Sequence, residues 1–408
     1  MRSLALIASH PVQYQAPWYR ALAAMTDLRV FFAHRIGADE QAHAGFGVPF
    51  DWDVPLFDGY RFEWLDNVAA RPGINHFRGC DTPQLARRIQ EGRFDAVLVN
   101  GWHLLSYWQA IRAARRAGVP VMVRGDSQLV TPRGGLRRAA KRLVYPRLLK
   151  SFDAFLAVGR RNQAYYRYYG IGADRIFRSP HCVDNDFFAR AAEAARRQRD
   201  DLRREVGIPC GAVVFAFVGK FIDKKRPLDF LMALERLRRA RPDIRGLIVG
   251  DGPLRAELEA YQRRHDTGCT MTGFLNQREI ARAYVVADAL VLPSTGGETW
   301  GLVVNEAMAC GVPAIVSDEV GCAPDLIDEG RTGFTYPCRD VAALADRLTR
   351  LAASHPDERR AMGSRARERI AEFSPQVAAA GVVDAMRALN TTHPRIERSD
   401  PHHVDAVS

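Results

Sequence analysis

The amino-acid sequence predicts an α/β protein in which two doubly wound, Rossmann-like halves face each other across a cleft. Three observations predict it. The chain has 408 residues, more than the roughly 250–300 at which a single hydrophobic core stops growing. Short, continuously apolar runs alternate with helix-period segments, the pattern of parallel strands covered on both faces. A polar helical stretch at 186–206 separates two sets of such runs, which places a boundary near 181–184.

In the first half the strand runs are 3–8, 28–34, 95–100, 120–123 and 153–159. After the polar connector the second set follows at 212–219, 246–250, 270–273, 288–294 and 313–317. The segments between them carry the helical period, as at 226–240, and Ala16-Pro17 marks a helix start after the first strand. Phe373-Ser374-Pro375 supplies an N-cap and an N1 proline for a terminal helix of 375–389. The expected organisation is a domain over 1–181, a second over 182–373, a helix at 374–390 packing back on the first domain, and a flexible tail at 391–408. The tail combines proline and charge with no apolar period. Ligands of open α/β sheets bind beyond the carboxyl ends of the strands, so function is sought in the strand-to-helix loops.

With 47% hydrophobic and 26% charged residues the composition is that of an ordinary globular protein, which argues against a disordered or fibrous chain. No run of 18 apolar residues occurs, so no membrane-spanning helix is expected. The opening MRSLALIASHPVQ has too short an apolar run for a secretory signal, and the expected location is the cytoplasm. Seven cysteines, odd in number and without a C-x-x-C pair, read as free thiols. Of 58 basic residues only five are lysines, and three of these, Lys220, Lys224 and Lys225, share one loop.

That loop, VGKFIDKKRP at 218–227, follows a strand and precedes a helix. Lys220 and Lys225 stand five apart around a turn that begins at Gly219, so both ammonium groups can converge on a phosphate at the strand end. A second loop, STGGETWGLVVNEAMACGVP at 294–313, holds Gly296, Gly297 and Gly301, which permit close backbone approach. A helix starting near Gly301 or Leu302 aims unpaired N–H groups and a positive dipole end at the cleft, where a diphosphate would bind. Glu298 and, eight positions later, Glu306 can reach different parts of one extended ligand, and an ionised carboxylate is a strong acceptor for paired hydroxyls. Taken singly, each glutamate is an ordinary carboxylate and the lysine loop a solvated turn; together they point to a phosphate-bearing ligand. Gly250-Asp251-Gly252-Pro253 opens like a dinucleotide fingerprint, but Arg255 stands where the third glycine belongs, which disfavours nicotinamide or flavin. Phe274 packs near a nucleobase or in the core.

In this order VGKFIDKKRP, LIVGDGP, TGFLNQREI, ADALVLPS and GETWGLVVNEAMACGVPAI resemble the retaining family 4 glycosyltransferases of the GT-B fold, over about 180–375 and less closely before it. The resemblance implies transfer of a sugar, with retention, from a nucleotide-sugar donor to a glycan or lipid-linked acceptor in bacterial surface or exopolysaccharide synthesis, with no cofactor. It implies that Glu298 contacts the donor hexose and Glu306 the ribose hydroxyls. The amides of Thr299, Trp300, Gly301 and Leu302 would meet the phosphates and sugar, and Lys220 and Lys225 the diphosphate. Lys220 stands where Arg is usual, Thr299 where Gly is usual and Trp300 where Phe is usual, the last two reshaping the sugar pocket. The first half resembles a bacterial subgroup: SHPVQYQAPWYRAL at 9–22 replaces a Gly-rich acceptor-side loop and brings His10 and Gln13 to the cleft. Trp102 and His103 lie just past strand 95–100, and Arg124 and Asp126 just past 120–123, with Asp126 roughly where many relatives carry a histidine. The candidate catalytic residues are Glu298, His103 and Asp126; His10, Gln13 and Arg124 are the acceptor-side candidates.

Lysines and a helix N-terminus already supply fixed positive potential, so no metal is expected. The D-x-D sequences Asp51-Trp52-Asp53 and Asp184-Asn185-Asp186 read as structural. Residues 132–150 hold Arg133, Arg137, Arg138, Lys141, Arg142, Arg147 and Lys150 without an acid. They read equally as a solvated helix or as a basic amphipathic helix on an anionic inner membrane surface. No recognition motif accompanies the charge, which disfavours nucleic acid. The competing functional expectations are a same-fold nucleotide-sugar epimerase or glycosyl phosphorylase, and a non-catalytic nucleotide-sugar binding subunit.

Overall fold

A computed structural model describes residues 1–37, 40, 47–130 and 135–392, and of 135–139 and Thr392 the backbone alone. Two parallel sheets form its frame. The first comprises β1 (Ser3–Ala8), β2 (Asp27–Phe32), β3 (Arg61–Trp64), β4 (Ala96–Val99), β5 (Val121–Gly125), β6 (Ala154–Ala157) and β7 (Ile176–Arg178), in the order β3-β2-β1-β4-β5-β6-β7. The second comprises β8 (Val213–Val218), β9 (Ile244–Val249), β10 (Cys269–Gly273), β11 (Ala289–Leu292), β12 (Ala314–Ser317) and β13 (Gly333–Tyr336), in the order β10-β9-β8-β11-β12-β13. The chain therefore builds two Rossmann-like domains, as expected.

The apolar runs are continuous because both faces of each sheet are covered. In the first sheet Ala5, Ile7, Val97 and Val99 enter one core, and Leu4, Leu6, Ala96 and Leu98 the other. In the second, Val214, Ala216 and Val218 lie on one side and Val213, Phe215 and Phe217 on the other. Strand order reverses between β1 and β4 and again between β8 and β11. The loops leaving these strands diverge, which opens a crevice at each switch point.

The connector is two helices, Asn185–Arg196 and Arg199–Glu205. Asp184 caps the first, accepting from the Phe187 N–H at 2.9 Å. The terminal helix runs Pro375–Thr392, so residues 391 and 392 extend it where a tail is expected, and 393–408 lie outside the described residues. Ser374 Oγ accepts from the Val377 N–H at 3.3 Å. This helix returns to the first sheet, packing on helix Ala16–Met25, β6 and β7. Gly381 allows the approach: a Cβ there would run into the carbonyl oxygen of Arg178. Among the described residues no helix is long and apolar enough to cross a membrane.

Candidate active site

The lysine loop leaves β8 and the glutamate loop leaves β11, so the switch point brings both to one place. Gly219, at φ +151°, turns the chain out of the strand. Lys225, in the turn Asp223–Lys225, places its Nζ 2.6 Å from Glu298 Oε2, with the two side chains only 11% and 13% exposed. Burial pushes the Glu298 carboxyl upward, but Lys225, Lys224 and Lys220 outweigh it and hold the group below the ordinary carboxylate range. Burial, reinforced by Lys224 and Lys225, lowers Lys220 to about 8. The donor loop is tied down on both sides, with Thr295 N–H donating to the Lys224 carbonyl at 2.8 Å and Gly296 N–H to Glu319 at 2.7 Å.

Helix Leu302–Ala309 starts from Gly301, whose φ of +101° and the 2.7 Å that a Cβ would leave to Leu292 both require glycine. Val304 N–H closes the first turn on the Gly301 carbonyl at 2.9 Å, and the amides of Leu302 and Val303 before it carry the positive dipole end. Glu306, on this helix, is 7% exposed and accepts the Tyr284 hydroxyl at 2.6 Å. Burial raises its carboxyl to about 7, against the opposing bonds from Tyr284 and Gln277 and the charge of Lys225. One ammonium, Lys225, thus acts on both glutamates.

On the first domain, His10 follows β1 and its Nδ1 lies 2.9 Å from Ser9 Oγ. Burial and the neighbouring His34 lower it to about 4, so it is neutral at pH 7. His103, past β4, is lowered by burial against the charge of Asp126 and is also neutral, its ring edge-on to Tyr107 at 5.6 Å. Gln13 Oε1 is buried with no protein donor among the described residues. Asp126 Oδ2 accepts the Thr299 hydroxyl at 2.6 Å, bridging the two domains.

Two expectations meet a different environment. Arg124 is buried: it donates to the carbonyls of Ser179 (3.3 Å) and Pro180 (2.9 Å) and stacks over Trp18 at 4.4 Å, tying the 9–22 segment to the chain that leaves the first domain. The Trp300 indole, expected to reshape the sugar pocket, has protein on several sides. It is buried between the domains, 5.5 Å from the His181 ring and 6.0 Å from Phe373, and donates to Asn305 at 2.8 Å. Its amide remains in the donor loop.

Other members of the site carry no sequence signal of their own. Tyr284 and Gln277 sit on helix Gln277–Val286, where a buried tyrosine reads as core. Gln128, two residues past Asp126, bonds to the donor loop across the domains. The Asp51-Trp52-Asp53 segment straps the first domain to the second: Asn276 donates to the Asp51 carbonyl at 2.7 Å, the Arg278 N–H to Asp53 at 3.1 Å, and Phe50 packs on Phe274 at 4.4 Å. Among the described residues, no group of three or more His, Cys, Asp or Glu side chains is arranged to hold a metal.

Comparison with known proteins covers both domains. Residues 11–181 match the family described as glycosyl transferase 4-like domain, and 198–369 match glycosyl transferases group 1. A D-inositol 3-phosphate glycosyltransferase of Saccharomonospora viridis is 32% identical over 219 residues, 51% of this chain and 49% of that protein, so the match spans about half of that relative's length. One from Xylanimonas cellulosilytica is 30% identical over 323 residues, 74% of each chain. Among solved structures, a sucrose-phosphate synthase from Thermosynechococcus elongatus superposes with a TM-score of 0.69 at 21% identity, covering 96% of this chain and 100% of that one. Anabaena HepE in complex with UDP-glucose does so with 0.68 at 16% identity, covering 95% and 100%. With both domains matched in order, and the switch-point loops carrying the paired lysines and glutamates, the chain belongs to the bacterial family 4 glycosyltransferases of the GT-B fold.

Proposed function

We propose that this glycosyltransferase moves a hexosyl group from a nucleotide sugar to a glycan or lipid-linked acceptor, with retention and without a metal ion, in bacterial surface or exopolysaccharide synthesis. The observation that carries the reading is the buried Lys225–Glu298 pair at the second switch point, within the field of Lys220 and three residues before the Gly301 helix start. Fixed positive potential there favours a diphosphate as negative charge grows on it. The bond from the anomeric carbon to the diphosphate oxygen breaks, a bond to the acceptor oxygen forms on the same face, and the leaving oxygen takes the acceptor proton. Glu298 orients the hexose, Glu306 takes the ribose hydroxyls, and the amides of 299–302 hold the phosphates. Neutral His103 beside Asp126 orients the acceptor hydroxyl, with His10 and Gln13 on the same side. HepE, solved with UDP-glucose, supports a nucleotide-sugar donor. In helix Gly135–Leu148, the exposed Arg142, Leu143, Val144 and Arg147 support an anionic membrane face for a lipid-linked acceptor.

The relatives named for D-inositol 3-phosphate favour a second reading in which the acceptor is a small phosphorylated polyol. Incubation with a panel of nucleotide sugars and both acceptor types decides between them. Nucleotide released without a glycosylated product counts against transfer. Glu298→Ala is expected to lower product formation by about 100-fold; an unchanged rate makes the donor assignment wrong. Full turnover is expected in excess EDTA, and loss restored by manganese refutes the metal-free reading.

A further inference from the structure

We propose that residues 126–128, at the end of β5, clamp the donor loop of the opposite domain, with Gln128 and Thr299 as positioning residues that hold Glu298 in its working place. The proposal rests on the donor role given to Glu298 above. Gln128 is 1% exposed, and its Nε2 donates to the carbonyl of Gly296 at 2.9 Å and that of Glu298 at 3.4 Å. Both partners are acceptors, so the amide must present its nitrogen to them. The base of the clamp is itself anchored: Asn162 donates to the Ser127 carbonyl at 2.9 Å and accepts from the Val158 N–H at 3.2 Å. Beside it the Thr299 hydroxyl donates to Asp126 at 2.6 Å, and a Cβ on Gly296 would sit 2.8 Å from the Val130 carbonyl oxygen. Three bonds from one strand end therefore fall on 296–299, the segment that carries Glu298.

A buried side-chain amide is costly unless it is hydrogen-bonded. The acceptors of Gln128 belong to the other domain, so its cost is offset only when the domains are together. Closure and the placing of Glu298 against Lys225 become one event. Gln128 Oε1 is buried with no protein donor among the described residues, and a water or substrate hydroxyl would complete it.

Gln128→Met keeps the size and removes the donor. In the full-length protein, kcat for transfer is expected to fall by about 100-fold, the cost of a small misplacement at the reacting centre, while affinity for UDP, which also rests on Lys220, Lys225, Glu306 and the amides of 301 and 302 outside the clamped segment, falls far less by calorimetry. Thr299→Val should move kcat in the same direction by less. Without any ligand, amide hydrogen exchange over 294–301 should accelerate in both variants and stay as in the parent in β8 and β11. Unchanged kcat and unchanged exchange would overturn the clamp, as would a parallel fall of kcat, UDP affinity and thermal midpoint. If Gln128→Met does not fold, Thr299→Val decides. A parent protein inactive on every donor overturns the transfer reading, whereas the exchange pattern still decides the clamp.

Discussion

Glu306 and Lys220 bring two titrations near neutrality to one site. Burial raises Glu306 to about 7 and lowers Lys220 to about 8. As pH rises through about 7 the carboxylate becomes the stronger acceptor for ribose hydroxyls; above about 8 the ammonium loses the charge that meets the diphosphate. The expected kcat/KM profile for the donor is a narrow bell between these values, measured from pH 6 to 9 at saturating acceptor. Glu306→Gln should remove its acid limb and Lys220→Met its alkaline limb; a flat parental profile contradicts both assignments. The sign for stability is opposite to that of an ordinary carboxylate. With the folded value raised above the free 4.5, the folded state holds its proton longer, and stability contributed by the neutral form is lost as pH rises from 4.5 toward 7. Glu306→Gln should then narrow the gap in unfolding free energy between pH 5 and pH 8. Lys225→Met leaves Glu298 buried without its closest cation, and urea unfolding should show a loss of about 3 kcal/mol.

At the scale of the element, Gly301 is the hinge between β11 and the helix that faces the cleft. Ala there must adopt a left-handed φ and displace Leu292, so Gly301→Ala should cost about 1–2 kcal/mol and weaken UDP binding as the helix start moves. Urea unfolding and calorimetry check the two parts, and a variant as stable and as tight as the parent would contradict this account. Strands β3, β7 and β13 are absent from the sequence reading. All three lie at sheet edges, where one side is unpaired. β3 is half-exposed or exposed along its length, β7 likewise, and neither needs a continuous apolar run. Central strands such as β8, buried at all six positions, have no such freedom and are legible at once. The terminal helix was equally legible, because its cap and proline are local signals.

At the scale of the whole molecule, the strap at 47–53 and the clamp at 126–128 join the domains from two sides of the cleft. Asp53 accepts from the Arg278 N–H at the start of helix Gln277–Val286, the helix whose Gln277 and Tyr284 hold Glu306. Asp53→Ala should loosen closure and let water compete, raising the ratio of donor hydrolysis to transfer. Product analysis at matched donor turnover checks it, and an unchanged ratio would show the strap to be passive.

The α/β class, the two-domain plan, the central strands and the paired loops of lysine, glycine and glutamate were determined by the sequence alone. Double-sided burial imposes continuous apolar runs, and a strand-end loop places its functional residues within a few positions of one another. Tertiary structure alone decided that Gln128 meets Gly296, that Asp126 meets Thr299, that Asp53 caps a helix of the other domain, and that Arg124 and Trp300 pack on the 179–181 segment between the domains. Those partners lie far apart along the chain, where no local period or spacing connects them, and only the packing of one domain on the other brings them within hydrogen-bonding distance.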